Sequence, residues 1–247
     1  MEKVLEVDGL TKLYNNGRGV RDISFEVYKG DVFGFLGPNG AGKTTVMKSI
    51  TGLNTFKSGK VEILGFDLKT QFEKALGKVG AIIETADLYE YMSAYYNLKI
   101  ASRFYKNMDK YSIDEILDIV ELTEFKNEKV SKFSLGMKQR LALALALISK
   151  PELVILDEPT NGLDIEGTVA MRNLIIELAT NSGITFFISS HLVHEIELMC
   201  NRVAIINNGQ LINSGEHIKT IKEKYTSLED FYMDEVKRVR GAILWIT

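Results

Sequence analysis

Residues 37–44 have the composition and spacing of a loop that binds phosphate groups. They are Gly-Pro-Asn-Gly-Ala-Gly-Lys-Thr and fit the pattern G-x-x-x-x-G-K-[ST]. The glycines let the backbone curl so that successive N–H groups point inward around the phosphates, and a following helix start adds positive dipole. Lys43 can place a charge near the β- and γ-phosphates, and the Thr44 hydroxyl can bind Mg²⁺. The alternative is a chance glycine-rich turn. We predict a nucleoside triphosphate site made by this loop and the residue after it, namely Gly37, Pro38, Asn39, Gly40, Ala41, Gly42, Lys43, Thr44 and Thr45.

Two consecutive carboxylates, Asp157 and Glu158, follow the apolar segment 153–156. The end of a strand in a parallel sheet opens onto the crevice where nucleotides bind. There, Asp157 is suited to support Mg²⁺. Glu158, which the two-residue alternation of a strand directs to the other side, is suited to polarise an attacking water. The alternative is the solvated start of a loop, where acidic residues are common, but the phosphate-binding loop upstream favours a catalytic interpretation.

The elements that must position these residues alternate between strands and helices. The apolar segment 32–36 predicts a strand buried on both faces just before the loop, and a helix is predicted from 43 to 51. Two short alternating segments before residue 28 predict β structure. From about 84 to 149, apolar residues recur at three-and-four spacing, which predicts an inserted helical subdomain. Strand and helix patterns then alternate again, and Asn-Asn-Gly at 207–209 predicts a hairpin.

Composition excludes several classes of protein. The 247 residues are 45% hydrophobic and 26% charged, which is ordinary for a globular α/β domain, and no internal repeat indicates a second one. The formal net charge of −3 argues against nucleic acid as a partner. The single cysteine, Cys200, cannot form an internal disulfide. No run approaches the ~18 apolar residues of a membrane span, so we expect a cytoplasmic protein.

Residues 133–140, Phe-Ser-Leu-Gly-Met-Lys-Gln-Arg, complete a pattern that resembles the nucleotide-binding domain of ABC transporters. The signature of that family is usually Leu-Ser-Gly-Gly-Gln followed by Gln-Arg. Ser134 and Gly136 are retained here, whereas Leu135 and Met137 replace the first glycine and the glutamine. The resemblance implies that this stretch begins a helix aimed at the γ-phosphate of ATP held by another subunit. A serine at such a position is also a good helix N-cap.

Three further residues match the family by position, and a fourth departs from it. Asp164 lies in Gly-Leu-Asp, which resembles the loop that contacts the partner subunit, and His191 matches the switch histidine that contacts the γ-phosphate. Tyr14 matches the aromatic residue that stacks on adenine, with a plain turn tyrosine as the alternative. Glu84 departs from the family, which usually has a glutamine there that reaches Mg²⁺ and the attacking water. This departure and the variant signature look like the branch that exports bacitracin-type and lantibiotic peptides.

The resemblance implies a P-loop α/β fold, in which an N-terminal antiparallel β subdomain and an inserted helical subdomain surround the core. It implies ATP and Mg²⁺ as cofactors, with Glu158 and His191 as catalytic residues. It further implies Mg²⁺ binding by Thr44, Asp157 and Glu84. ATP would lie between Lys43 of one subunit and the signature of the other in a homodimer or heterodimer. Separate membrane permease subunits would hold the chain on the inner face of the membrane.

The domain limits and the rival functions remain expectations at this point. We assign residues 1–230 to one ATPase domain, with the helical subdomain at about 85–150. Residues 231–247 form a tail of uncertain structure, which from residue 236 we expect to fray, with contact to the membrane or partner as the alternative. A soluble ABC-type ATPase without a transport role is disfavoured because tandem modules and coiled-coil heptads are absent. A module that uses ATP only as a clamp and an importer ATPase remain alternatives.

Overall fold

The computed structural model describes residues 2–105 and 110–244 of the chain. Its strands, in chain order, are β1 (Lys3–Leu13), β2 (Gly19–Tyr28), β3 (Val32–Leu36), β4 (Ser58–Ile63), β5 (Phe66–Asp67), β6 (Val79–Ile82), β7 (Leu153–Asp157), β8 (Thr185–Ser190), β9 (Arg202–Asn207) and β10 (Gln210–His217). Its helices are α1 (Lys43–Ile50), α2 (Phe72–Leu76), α3 (Ala94–Ser102), α4 (Lys110–Ile119), α5 (Leu135–Leu147), α6 (Ile165–Ser182), α7 (Val193–Met199), α8 (Ile218–Lys222) and α9 (Leu228–Leu244), with one 3₁₀ turn at Val130–Lys132.

The strands form two sheets. The central sheet has the order β10-β9-β3-β8-β7-β6, in which β9, β3, β8, β7 and β6 run parallel and β10 is antiparallel at the edge. The second sheet is antiparallel, with the order β2-β1-β4-β5. Because β3, β7 and β8 are buried along their whole length, they carry the continuous apolar runs expected of strands covered on both faces.

The hydrophobic core lies on both faces of the central sheet. On one face, β1, β2, β4 and α1 cover it, and Phe25 stacks on Phe33 and Phe187 with ring centroids 5.8 and 5.3 Å apart. On the other face, helices α3 to α9 pack around residues such as Leu143 and Ile188. The α/β class, the antiparallel β subdomain and the helical insertion predicted from the sequence are thus confirmed, and the exact domain limits stay a prediction.

The C-terminal segment differs from its prediction as a frayed end. Helix α9 runs from Leu228 to Leu244 and packs against α7, α8 and β10. Phe231 and Val236 are buried in this contact, and their burial stabilises a helix that the sequence pattern alone did not indicate. The residues of the tail after Leu244, including Trp245, lie outside the described residues. Within residues 2–105 and 110–244, no helix is both long enough and apolar enough to cross a bilayer.

Candidate functional site

The loop at residues 37–42 joins the end of β3 to the start of α1. Two of its glycines are required by close contacts. A Cβ on Gly37 would lie 2.4 Å from the carbonyl oxygen of Ile206, and one on Gly42 would lie 2.5 Å from a methyl of Val20. Gly42 also has φ +110°, a conformation that other residues rarely adopt. The loop therefore has a tight backbone in which Gly37 and Gly42 leave no room for a side chain.

Lys43 is the first residue of α1 and its side chain is buried. Its Nζ donates to the carbonyl oxygen of Gly37 at 2.7 Å and lies 3.1 Å from Oε1 of Glu158. A buried ammonium needs such partners, because desolvation of an unpaired charge is costly. The contact brings the loop lysine and the proposed catalytic carboxylate, 115 positions apart in the chain, into one site.

Asp157 ends strand β7, and both of its carboxylate oxygens are hydrogen-bonded. Thr44 Oγ1 donates to Oδ2 at 2.8 Å, and Ser189 Oγ donates to Oδ1 at 2.5 Å. Thr44 and Asp157 thus place hard oxygen atoms side by side, which suits Mg²⁺. The described residues contain no cluster of three or more His, Cys, Asp or Glu side chains that could hold a metal.

Glu158 does not follow the strand alternation that its prediction assumed. Its φ is +51°, a left-handed conformation, and both Asp157 and Glu158 line the same cavity. The prediction that Glu158 points away from Asp157 is therefore wrong. The reason is that the strand ends at Asp157, and the left-handed turn redirects the next side chain toward Lys43.

His191 follows directly after β8 and contacts the same carboxylate. Its Nδ1 lies 2.8 Å from Oε2 of Glu158, so Glu158 bridges Lys43 and His191 with its two oxygens. The three side chains form one continuous polar chain. The structure thus places Glu158 and His191, the two residues whose catalytic role the resemblance implies, side by side.

A cavity of about 360 Å³ opens where these residues meet. Of the predicted site residues, it is lined by Asn39, Gly40, Gly42, Lys43, Thr44, Thr45, Glu84, Asp157 and Glu158. Gly37, Pro38 and Ala41 belong to the loop but do not line this cavity. Tyr14 does not line it either. Its ring is half exposed, with Lys12 Nζ 5.2 Å from the ring centroid.

Glu84 has a cation beside it, which the sequence analysis missed. Lys48 Nζ lies 2.7 Å from Oε1 of Glu84. Lys48 is one helical turn beyond Thr44 on α1, so the two residues lie on the same side of the helix. The negative charge that distinguishes position 84 from the family's glutamine is therefore offset within this chain.

A second cavity, of about 490 Å³, is formed where α5 and α6 begin. Ser134 caps α5 and accepts a hydrogen bond from the Met137 N–H at 3.2 Å, and Asp164 caps α6 and accepts from the Gly167 N–H at 2.8 Å. Ser134, Leu135, Gly136 and Asp164 line this cavity. Met137 does not, and its side chain packs against the core. The two cavities share no lining residue.

Three site residues were missed in the sequence: Lys48, Asn161 and Ser189. Asn161 lines the first cavity, and its N–H donates to the carbonyl oxygen of Glu158 at 3.0 Å. Lys48 could have been found from its four-residue spacing after Thr44. Ser189 carried no signal, because nothing in the sequence shows which residue of one strand lies opposite Asp157.

Fold and site together define a nucleotide-binding α/β domain, and comparison with known proteins assigns its family. The model of the ABC transporter family matches residues 20–161. A bacitracin transport ATP-binding protein of Bacillus licheniformis is 42% identical over 93% of this chain and 76% of its own length. A lantibiotic transport ATP-binding protein of Streptococcus pyogenes is 38% identical over 87% of this chain and 91% of its own.

A solved ATP-binding subunit of an ABC transporter is similar to the chain across its length. It matches with a TM-score of 0.81 and 27% identity over 94% of this chain and 99% of its own. The chain belongs to the ABC transporter family and is an ATP-binding subunit of that family. Members of the family bind ATP, typically with Mg²⁺, and hydrolyse it. They also dimerise and couple to membrane permease subunits.

Proposed function

We propose that this chain binds and hydrolyses Mg-ATP and thereby powers export of a peptide antibiotic or drug through separate membrane subunits. The observation that carries the proposal is the continuous network of Lys43, Glu158 and His191 beside the Thr44–Asp157 pair. A protein that only bound nucleotide would not need a carboxylate held between a lysine and a histidine at the same cavity.

The loop binds the phosphates in this proposal. Backbone N–H groups of residues 39–42 and the Lys43 ammonium would face the β- and γ-phosphates, and Tyr14 would stack on the adenine. Thr44, Asp157 and Glu84 would hold Mg²⁺, which neutralises phosphate charge when bound. Because Lys43 now pairs with Glu158, the γ-phosphate would compete with that carboxylate for the lysine.

Glu158 is the residue proposed to activate water. Its carboxylate accepts a proton from the water as the water oxygen bonds to the γ-phosphorus and the bond from that phosphorus to the β–γ bridging oxygen breaks. His191, 2.8 Å from Oε2 of Glu158, would orient the carboxylate and contact the γ-phosphate. Asp157 remains hydrogen-bonded to Thr44 and Ser189 and so keeps its orientation.

The complete site is proposed to form between two chains. Lys43 and Ser134 line separate cavities in one chain, which supports an arrangement in which Ser134 of one subunit faces the phosphates held by another. The exposed start of α5 is a helix N-terminus, which attracts anions through its first backbone N–H groups and the helix dipole. Permease partners would place the dimer on the inner face of the membrane, and no role for nucleic acid is proposed.

The proposed substrate class rests on the bacitracin and lantibiotic transport relatives. To test it, the chain and its membrane subunits are expressed in a susceptible strain, with Glu158→Gln as the matched control. We expect resistance to bacitracin or a lantibiotic with the wild type and its loss with Glu158→Gln. ATP hydrolysis without any change in resistance would contradict the substrate class, whereas absence of hydrolysis in the assembled complex would contradict the enzymatic function.

A further inference from the structure

We propose that Ser189 is a positioning residue that fixes both carboxylates of the site through one hydroxyl group. This inference rests on the proposed Mg-ATP function. Ser189 itself reaches neither cavity. It acts by holding Asp157 toward Thr44 and by holding the backbone turn that aims Glu158 at Lys43.

The hydroxyl of Ser189 uses both its donor and its acceptor capacity. Its Oγ donates to Oδ1 of Asp157 at 2.5 Å and accepts from the Glu158 N–H at 3.0 Å. The carbonyl oxygen of Ser189 accepts from the same N–H at 3.2 Å. No other side chain among residues 2–105 and 110–244 makes hydrogen bonds to both Asp157 and Glu158.

The sheet register places this hydroxyl where it acts. Strands β7 and β8 are parallel neighbours, and Asp157 and Ser189 are Cα partners at their carboxyl ends. Ser189 is fully buried, so water cannot easily replace its hydrogen bonds. The Ser189 side chain therefore has little rotational freedom, and its hydrogen bond restricts the rotation of the Asp157 carboxylate.

Loss of the hydroxyl has two predicted consequences. Asp157 would keep Thr44 as its remaining side-chain donor, but Oδ1 would lose its donor, so the carboxylate could rotate about the Thr44 contact and would no longer be fixed in one orientation for Mg²⁺. Partners that orient metal ligands typically contribute about 10-fold to 100-fold in metal affinity. The left-handed turn at Glu158, φ +51°, would also lose one of its two acceptors from Ser189.

Thr185 provides a matched control at the other end of the same strand. It is also fully buried, and its Oγ1 accepts a hydrogen bond from the Gly30 N–H at 3.0 Å. Thr185→Val removes that hydroxyl with little change of shape, at a position whose β7 partner is Leu153 rather than Asp157. Both variants therefore delete one buried hydroxyl from β8.

The experiment measures Mg²⁺ dependence without hydrolysis. The full chain is titrated with Mg²⁺ at a fixed concentration of a fluorescent trinitrophenyl derivative of ATP, and the thermal unfolding midpoint is recorded for each variant. We expect Ser189→Ala to raise the Mg²⁺ midpoint by about 10-fold and to leave Mg²⁺-free binding of the analogue unchanged. Thr185→Val should change only the unfolding midpoint. If Ser189→Ala fails to fold, Ser189→Cys, whose thiol donates weakly, is measured by the same criteria.

The outcomes separate this inference from the proposed function. A Mg²⁺ midpoint for Ser189→Ala within about 2-fold of wild type, or an equal shift in Thr185→Val, overturns the positioning role and leaves Ser189 as a purely structural residue. If the wild-type chain binds the analogue without any response to Mg²⁺, the proposed Mg-ATP function fails instead.

Discussion

Glu158 joins the side chains of Lys43 and His191, since its oxygens lie 3.1 Å from Lys43 Nζ and 2.8 Å from His191 Nδ1. Glu158→Gln keeps the shape of the side chain but removes the negative charge and the ability to accept a proton. We expect hydrolysis to fall by about 100-fold or more while nucleotide still binds, because general-base catalysis contributes on that order.

The measurement for Glu158→Gln combines phosphate release with size-exclusion chromatography in Mg-ATP. The variant should remain a nucleotide-bound dimer, whereas the wild type should be mostly monomer after turnover. Glu152→Gln, at a carboxylate just before β7, is the control. Turnover of Glu158→Gln at the wild-type rate would show that another group is the base.

At the scale of elements, α1 and the segment after β6 are connected by the Lys48–Glu84 ion pair. Glu84 is 60% exposed, so the pair contributes less than about 1 kcal/mol to stability. Its proposed effect is on coupling, because Thr85 and Ala86, which follow Glu84, line two further surface cavities. We expect Glu84→Gln to leave ATP hydrolysis within several-fold of wild type and to reduce export strongly.

The ion pair also supplies a matched variant, Lys48→Gln. If the pair matters for coupling, Lys48→Gln and Glu84→Gln should reduce export to a similar degree, and the double variant should be no worse than either, because both disrupt one interaction. Export and hydrolysis are measured in the complex with the membrane subunits. Wild-type export by Glu84→Gln would leave Glu84 without a role in coupling.

Helix α9 buries an acidic side chain, and this gives a pH-dependent prediction. Burial raises the pKa of Glu235, and Arg238, 3.0 Å away, offsets this only in part. A raised pKa in the folded state means that the protonated carboxyl is favoured, so the stabilising contribution is present at low pH and is lost as pH rises through the folded pKa. At pH 8 the buried charge therefore destabilises the fold.

Glu235→Gln should raise the thermal unfolding midpoint by about 2 °C at pH 8, and the gain should disappear below about pH 4, where the glutamate is protonated in both states. Glu229→Gln, on the same helix, is the control. If the unfolding midpoint rises equally at both pH values, the removal of the Glu235 charge is not the cause of the rise.

At the scale of the whole molecule, separate cavities for Lys43 and the signature predict complementation between two inactive variants. Lys43→Ala disables the phosphate loop. Gly136→Asp puts a negative charge at the second cavity, where a Cβ would meet its nearest atom at 3.9 Å and so should fit without a clash. A mixed dimer then contains one site in which both contributing surfaces are wild type.

Equal mixing of the two variants should restore about a quarter of the wild-type ATPase rate, because half of the dimers are mixed and each has one intact site of two. The two variants carry different affinity tags, so mixed dimers can be isolated and counted. If mixed dimers are present and the mixture is still as inactive as each variant alone, the site is not built from the phosphate loop of one subunit and the signature of the other.

Local patterns in the sequence determined much of this protein. The phosphate loop, the cap at Ser134 and the hairpin at residues 207–209 were all predictable. Each depends on residues only a few positions apart, so turn chemistry, capping and alternation are sufficient to specify them. The buried strands β3 and β7 were likewise recognisable from continuous apolar runs.

Only the tertiary structure decided how these pieces meet. Ser189 lies opposite Asp157 because of a strand register that joins positions 32 residues apart, and Lys48 reaches Glu84 across 36. The left-handed turn that aims Glu158 at Lys43, and the burial that orders α9, also depend on packing between distant segments. Local sequence patterns cannot predict such contacts, because they join distant segments and contribute to stability only when the sheet and its covering helices have assembled.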